Sequence, residues 1–125
     1  MSLADIHARL ANTALLYVGL MAIWSLWRFI RKQGVSSNYW GAIIIGEILI
    51  FVQGALGMYL WIIGERPGRS IHLLYGIVAA LTIPAVYSFT RGKQERRETL
   101  IYGLALLFLV GILLRAIGTA MAGAG

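Results

Sequence analysis

LANTALLYVGLMAIWSLWRFI, residues 10–30, decides the class of this protein. The run carries no charge before Arg28. As a helix, about 20 such residues rise about 30 Å, the thickness of the hydrocarbon core of a bilayer. Trp24 and Trp27 near its end, followed by Arg28, Arg31 and Lys32, form an interface anchor of aromatic rings and positive charge. A segment built this way is a membrane span.

The rest of the chain repeats the pattern. Of 125 residues, 59% are hydrophobic and only 13% charged. Soluble domains carry about 25% charged residues, so water is the wrong solvent for this chain. Apolar runs and turn signals predict four helices over about 3–33, 39–63, 71–90 and 94–119. Ser2 and Asp5 fit a capping box at the first start. Gly34 can take the left-handed stop, and Ser36, Ser37 and Asn38 offer the next N-cap. Gly64 ends the second helix, Ser70 caps the third, Pro84 kinks it, and Gly92 ends it. Together these define one all-α integral membrane domain over 1–125, an antiparallel four-transmembrane-helix bundle with short loops.

The formal net charge is +6, and most of it sits in two loops. That placement reads as membrane topology and not as nucleic-acid binding. Loops 28–38 and 91–98 hold seven Lys and Arg, against Arg9, Arg66 and Arg69 on the other side. The basic loops are expected in the cytoplasm of a bacterial cell, below its inner (plasma) membrane. Both termini and the turn 64–70 are expected outside. The N-terminus lacks a basic n-region and a small-residue cleavage site, so the first helix is expected to be retained. There is no cysteine, which excludes disulfides, thiolate metal sites and cysteine nucleophiles.

The polar turn Glu65-Arg66-Pro67-Gly68-Arg69 runs straight into Ser70-Ile71-His72, placing a histidine at the start of the third helix. His7 starts the first helix. Those helices run the same way, so both imidazoles are expected at nearly one depth, near the outer edge. Each has small residues at i+4 and i+7 on its own face: Ala11 and Ala14 after His7, Gly76 and Ala79 after His72. That leaves room for a flat porphyrin, and neutral imidazole is a standard haem ligand. Arg66, Arg69 and Arg115 would then meet its propionates. The plain alternative is that both histidines hydrogen-bond the turn or water, while Arg115 snorkels to lipid.

Glu47 lies about 12 Å into the second helix, near the bilayer centre. A carboxyl there must face inward or hold its proton. Tyr17 and Thr82 fall at similar depth as candidate hydrogen-bond partners. Proton handling or a quinone contact is the functional reading; a neutral acid bonded within the bundle is the structural one. Gln53 lies on a different face. Gly41, Gly46, Gly54, Gly57, Gly103 and Gly111 let helices approach closely, within the bundle or against another subunit. No phosphate loop, protease motif, nucleophile with its base, or paired carboxylates occur, so catalysis by this chain alone is not expected.

At Gln53-Gly54-Ala55-Leu56-Gly57 leading to Ile71-His72-Leu73-Leu74-Tyr75-Gly76, the chain resembles half of a haem A synthase, and more broadly other four-helix b-type haem membrane proteins. The resemblance covers about the middle third. It implies haem b, with a histidine near the outer end of a helix that follows a glycine-bearing helix and a short turn. The family carries two bundles, and its histidines lie on the second and fourth helices of each half; here there is one bundle, with histidines on helices one and three. In size, topology and composition the chain also resembles the small accessory subunits of quinol-oxidising assemblies such as alternative complex III.

The first expectation is therefore an accessory, structural transmembrane subunit of a bacterial respiratory or photosynthetic electron-transfer complex. Its partners would be lipid and other membrane subunits. The alternative is a b-type cytochrome with one haem on His7 and His72. A third reading is a quinone-site or proton-relay component centred on Glu47.

Overall fold

Backbone hydrogen bonding and caps set the helix ends. The structure, a computed structural model, describes residues 1–65 and 70–121. Helix α1 is Leu3–Ile30, α2 Ser37–Ile62, α3 Ile71–Thr90 and α4 Arg96–Met121. The capping box at α1 forms as expected: Asp5 N donates to Ser2 Oγ and Ser2 N to Asp5 Oδ2, both at 3.1 Å. Ser36 Oγ caps α2 by accepting Tyr39 N at 3.1 Å. At the end of α2, Gly64 takes φ +94° while Glu65 N returns to Leu60 O at 2.9 Å.

Two end signals act differently from their sequence reading. Lys32, not Gly34, takes the left-handed position after α1, with φ 59°. Its N–H bonds Phe29 O, and Gln33 N bonds Arg28 O at 2.8 Å, which closes the helix. Gly34 is required for a different reason: a Cβ there would collide with the backbone oxygen of Gln94 in the α3–α4 loop. Ser70 is helical, with φ −63° and ψ −25°, and its side chain makes no cap bond. Helix α3 runs unbroken through Pro84.

The helices pack in a ring, each on its sequence neighbours and α1 also on α4; across the diagonals the described backbones stay apart, while side chains meet, as where Tyr39 and Trp40 of α2 reach the Tyr102 ring of α4. The α1/α4 seam is the most extensive and α2/α3 the least. Gly103 sits in the α1/α4 seam, where an added Cβ would come within 2.9 Å of Leu26. The core runs along the axis through Val18, Ile43, Ile83, Tyr102 and Leu109.

All four helices are long and apolar enough to cross a membrane, and only 17–28% of each apolar window is buried. The remaining apolar surface, including Leu16, Ile23, Phe51, Leu81 and Phe108, faces outward. Polar side chains such as Ser25, Glu47 and Thr99 are enclosed instead. This inside-out distribution suits lipid, where helix association rests on close packing and interhelical hydrogen bonds rather than on escape from water.

Candidate functional site

Four elements build one site at the end of the bundle shared by the starts of α1 and α3. His7 on α1 and His72 on α3 meet across the axis, with ring centroids 6.2 Å apart and planes at 80°. The imidazoles thus bring two diagonal helices together at this end of the bundle. The expectation that both rings lie at one level is met.

Each imidazole is held by a neighbouring helix. His72 Nδ1 lies 2.7 Å from Ala116 O and 3.3 Å from Thr119 Oγ1, both on α4. A carbonyl only accepts, so Nδ1 carries a proton in this bond, and the neutral tautomer of that form has its lone pair on Nε2. Histidines that ligate metals are oriented this way, by donating their other N–H to a carbonyl or carboxylate. On the opposite side, α2 receives His7. Gln53 Nε2 donates to His7 O at 2.6 Å. Gly57 lies under the His7 ring, and a Cβ there would stand 3.1 Å from His7 Cε1. His7 Nδ1 and Gln53 Oε1 are both buried without a hydrogen-bond partner among the described residues.

Two imidazoles bonded at about 2 Å to one metal, with their ring nitrogens facing, would have centroids roughly 6 Å apart; the centroids here are 6.2 Å apart. Two neutral imidazoles are also what b-type haem iron takes. The small residues serve this site differently from the sequence expectation. Ala14 and Ala79 are 1% and 2% exposed, closed into the core instead of flanking a slot. Gly76 has open space where its Cβ would be, and the ring of His7 rests on Gly57.

Arg115 is exposed on α4, one residue before the carbonyl that holds His72, and makes no ion pair among the described residues. Arg66 and Arg69 lie outside the described residues. Thr13 bonds Arg9 O in its own helix at 3.1 Å.

Glu47 occupies a separate place, in the middle of the bundle. It is 7% exposed, and neither carboxyl oxygen has a hydrogen-bond partner among the described residues. The two partners expected for it are engaged elsewhere. Tyr17 donates to Ala42 O at 2.6 Å and Thr82 to Val78 O at 2.7 Å. Thr82 satisfies the carbonyl one turn back in its own helix, a local bond that a hydroxyl in a helix makes readily. Tyr17 reaches α2 because Gly46 leaves its ring room, at 3.1 Å from a would-be Cβ.

Gln53 is the site residue that sequence reasoning missed. Its signal was present: Gln53 and Gly57 are four apart, hence on one face of α2, and that face meets His7. In comparisons with known proteins, no family model, curated protein or solved structure matches the chain.

Proposed function

We propose that this protein holds one haem b between His7 and His72 and serves as a one-electron carrier in the membrane. The observation that carries the reading is the imidazole pair itself, 6.2 Å apart on diagonal helices, with His72 Nδ1 anchored to a backbone carbonyl. Bound there, haem b supplies a ferric/ferrous couple. His72 presents Nε2, Ala116 O fixes its tautomer, Gln53 and Gly57 seat His7, and Arg115 with Arg66 and Arg69 would neutralise the propionates.

The difference in helix number from haem A synthase halves does not count against this reading. In a ring of four antiparallel helices, one and three are diagonal and run the same way, as do two and four. Histidines on either pair face each other at one end of the bundle. The positive-inside rule puts that end on the outer side of a bacterial inner membrane, with loops 28–38 and 91–98 in the cytoplasm.

One observation also favours the accessory-subunit reading, which is compatible with haem. Gly46, Gly57 and Gly103 are filled by side chains within the bundle, whereas nothing lies within 4 Å of a Cβ built at Gly41, Gly54 or Gly111. Those outward glycines suit close approach by helices of other subunits in an electron-transfer complex.

A reduced-minus-oxidised spectrum of the purified protein tests the first reading. A b-type band is expected, and it should vanish in His7→Ala and in His72→Ala. Haem-free protein from haem-replete cells would overturn it. Co-purification with a larger redox assembly tests the second.

A further inference from the structure

Glu47 lines a cavity of about 10 Å³ with Tyr17, Gly46, Ile83, Leu106 and Leu109. That is the smallest space that accepts one water molecule, which needs at least two polar partners to stay. The cavity supplies them. Glu47 brings a carboxyl with both oxygens unpartnered among the described residues, and Tyr17, whose hydroxyl donates a hydrogen bond to Ala42 O, brings lone pairs on its oxygen. Among the described residues no charged group faces the carboxyl: α1 contributes Tyr17 and apolar residues, α3 contributes Ile83, and α4 contributes Leu106 and Leu109. An anion enclosed there would have neither a counter-charge nor a donor, apart from that one water.

We propose that Glu47 is a proton-holding site: a neutral carboxylic acid at pH 7, donating to one internal water that it shares with Tyr17. The Gly46 gap belongs to the same device, since it admits the Tyr17 ring to the face of α2 that carries Glu47. The site is independent of haem. It also marks Glu47 as the position where an apolar carbodiimide reacts. The carboxyl oxygen adds to the central carbon of the reagent and the carboxyl proton passes to one of its nitrogens. The O-acylisourea then rearranges to a stable N-acylurea, and no group leaves. Asp5, Glu65 and Glu95 are exposed to water, and the buried Glu98 is held by Glu95 N and Arg97, so none is an unpartnered acid in an apolar enclosure.

The test uses the full chain in lipid bilayers. Infrared spectra at pH 7 are expected to show the C=O stretch of a protonated carboxyl that shifts in D2O. Glu47→Gln should abolish it, and Tyr17→Phe should move it upward by removing the water's acceptor. Dicyclohexylcarbodiimide should consume the same band while peptide mapping places the adduct on Glu47. If Glu47→Gln does not fold, the wild-type band and the mapped adduct decide alone. Absence of a protonated carboxyl band at pH 7, or a band that persists in folded Glu47→Gln or after complete labelling of Glu47, would overturn the proposal.

Discussion

The two ends of the bundle are built on opposite terms. At the basic end several side chains and backbone groups tie loops to helices. Arg28 Nε donates to Gly34 O at 3.0 Å and its guanidinium lies over the rings of Trp24 and Tyr39. Val35 N reaches Gln94 O at 2.9 Å, Thr99 Oγ1 reaches Gln33 O at 3.0 Å, and Arg96 Nε reaches Phe29 O at 2.8 Å. Glu98 turns its carboxylate back onto Glu95 N. At the histidine end, His7 Nδ1 and Gln53 Oε1 are enclosed without partners among the described residues. One end is fastened and the other keeps unspent hydrogen-bonding capacity around two imidazoles. Stability and site have been separated along the bundle axis.

The separation is broken most strongly at Gly34. Its would-be Cβ meets backbone of the facing loop, which cannot rotate away as a side chain can. Gly34→Ala should destabilise the bundle by about 2–3 kcal/mol, the upper part of the range for overpacking. Unfolding in mixed micelles measures it. Haem affinity of the fraction that stays folded should not change. A parallel loss of affinity would mean that the two ends are coupled.

Gln53→Leu probes the other end. It removes the bond to His7 O and leaves the basic end untouched. Groups that orient a ligating histidine contribute roughly 10–100-fold to metal affinity. Gln53 acts on the backbone of His7, so the expected loss is the lower figure, about tenfold in haem dissociation constant. Spectral titration of the apoprotein reads it directly. An unchanged constant would show that Gln53 is packing only.

Much of this architecture is legible in the chain because membrane spans are written in length and polarity, which are local. The α2 stop falls where Gly64 stands, α3 closes on a left-handed Arg91 one residue before the expected Gly92, and the histidines share a level because helix direction alternates. What was not legible depends on partners far away in sequence. Gly34 reads as a helix stop until Gln94 is beside it. Gln53 reads as facing away from Glu47, which is true, but nothing local shows that it reaches His7, 46 residues away. Tyr17 and Thr82 stand at the depth of Glu47, yet a hydroxyl finds the nearest carbonyl first. Depth specifies which groups can meet, whereas rotation about each helix axis decides which do, and rotation is set by packing.

A smaller effect sharpens the comparison within the basic end. Ser25 Oγ donates to Met21 O at 2.8 Å, so the 2.5 Å contact with Tyr39 has Tyr39 as donor. Tyr39→Phe deletes that donor but leaves Ser25 bonded to its own helix, so no buried group is orphaned. The cost should be about 1 kcal/mol, the net worth of one intramolecular hydrogen bond. Haem binding should stay within twofold of the parent. If Tyr39→Phe instead costs several times that amount, the Ser25–Tyr39–Trp24 cluster acts as a unit and the edge-on ring contact of Trp24 with Tyr39 at 5.3 Å must depend on the hydroxyl.

The smallest expected change has the opposite sign. Lys32 holds φ 59° to close α1, a conformation that costs a residue with a Cβ about 1–2 kcal/mol and glycine almost nothing. Lys32→Gly relieves that strain, while glycine's freer unfolded chain gives part of the gain back. The net should be a stabilisation of about 0.5 kcal/mol. Because Lys32 is exposed, no packing is lost with its side chain. The substitution also removes one positive charge from the 28–38 loop, so topology mapping of the same variant asks a second question. With Arg28, Arg31, Arg91, Lys93, Arg96 and Arg97 still in place, orientation should hold. Inversion by the loss of this one lysine would show that the charge bias between the two faces is much finer than its count implies.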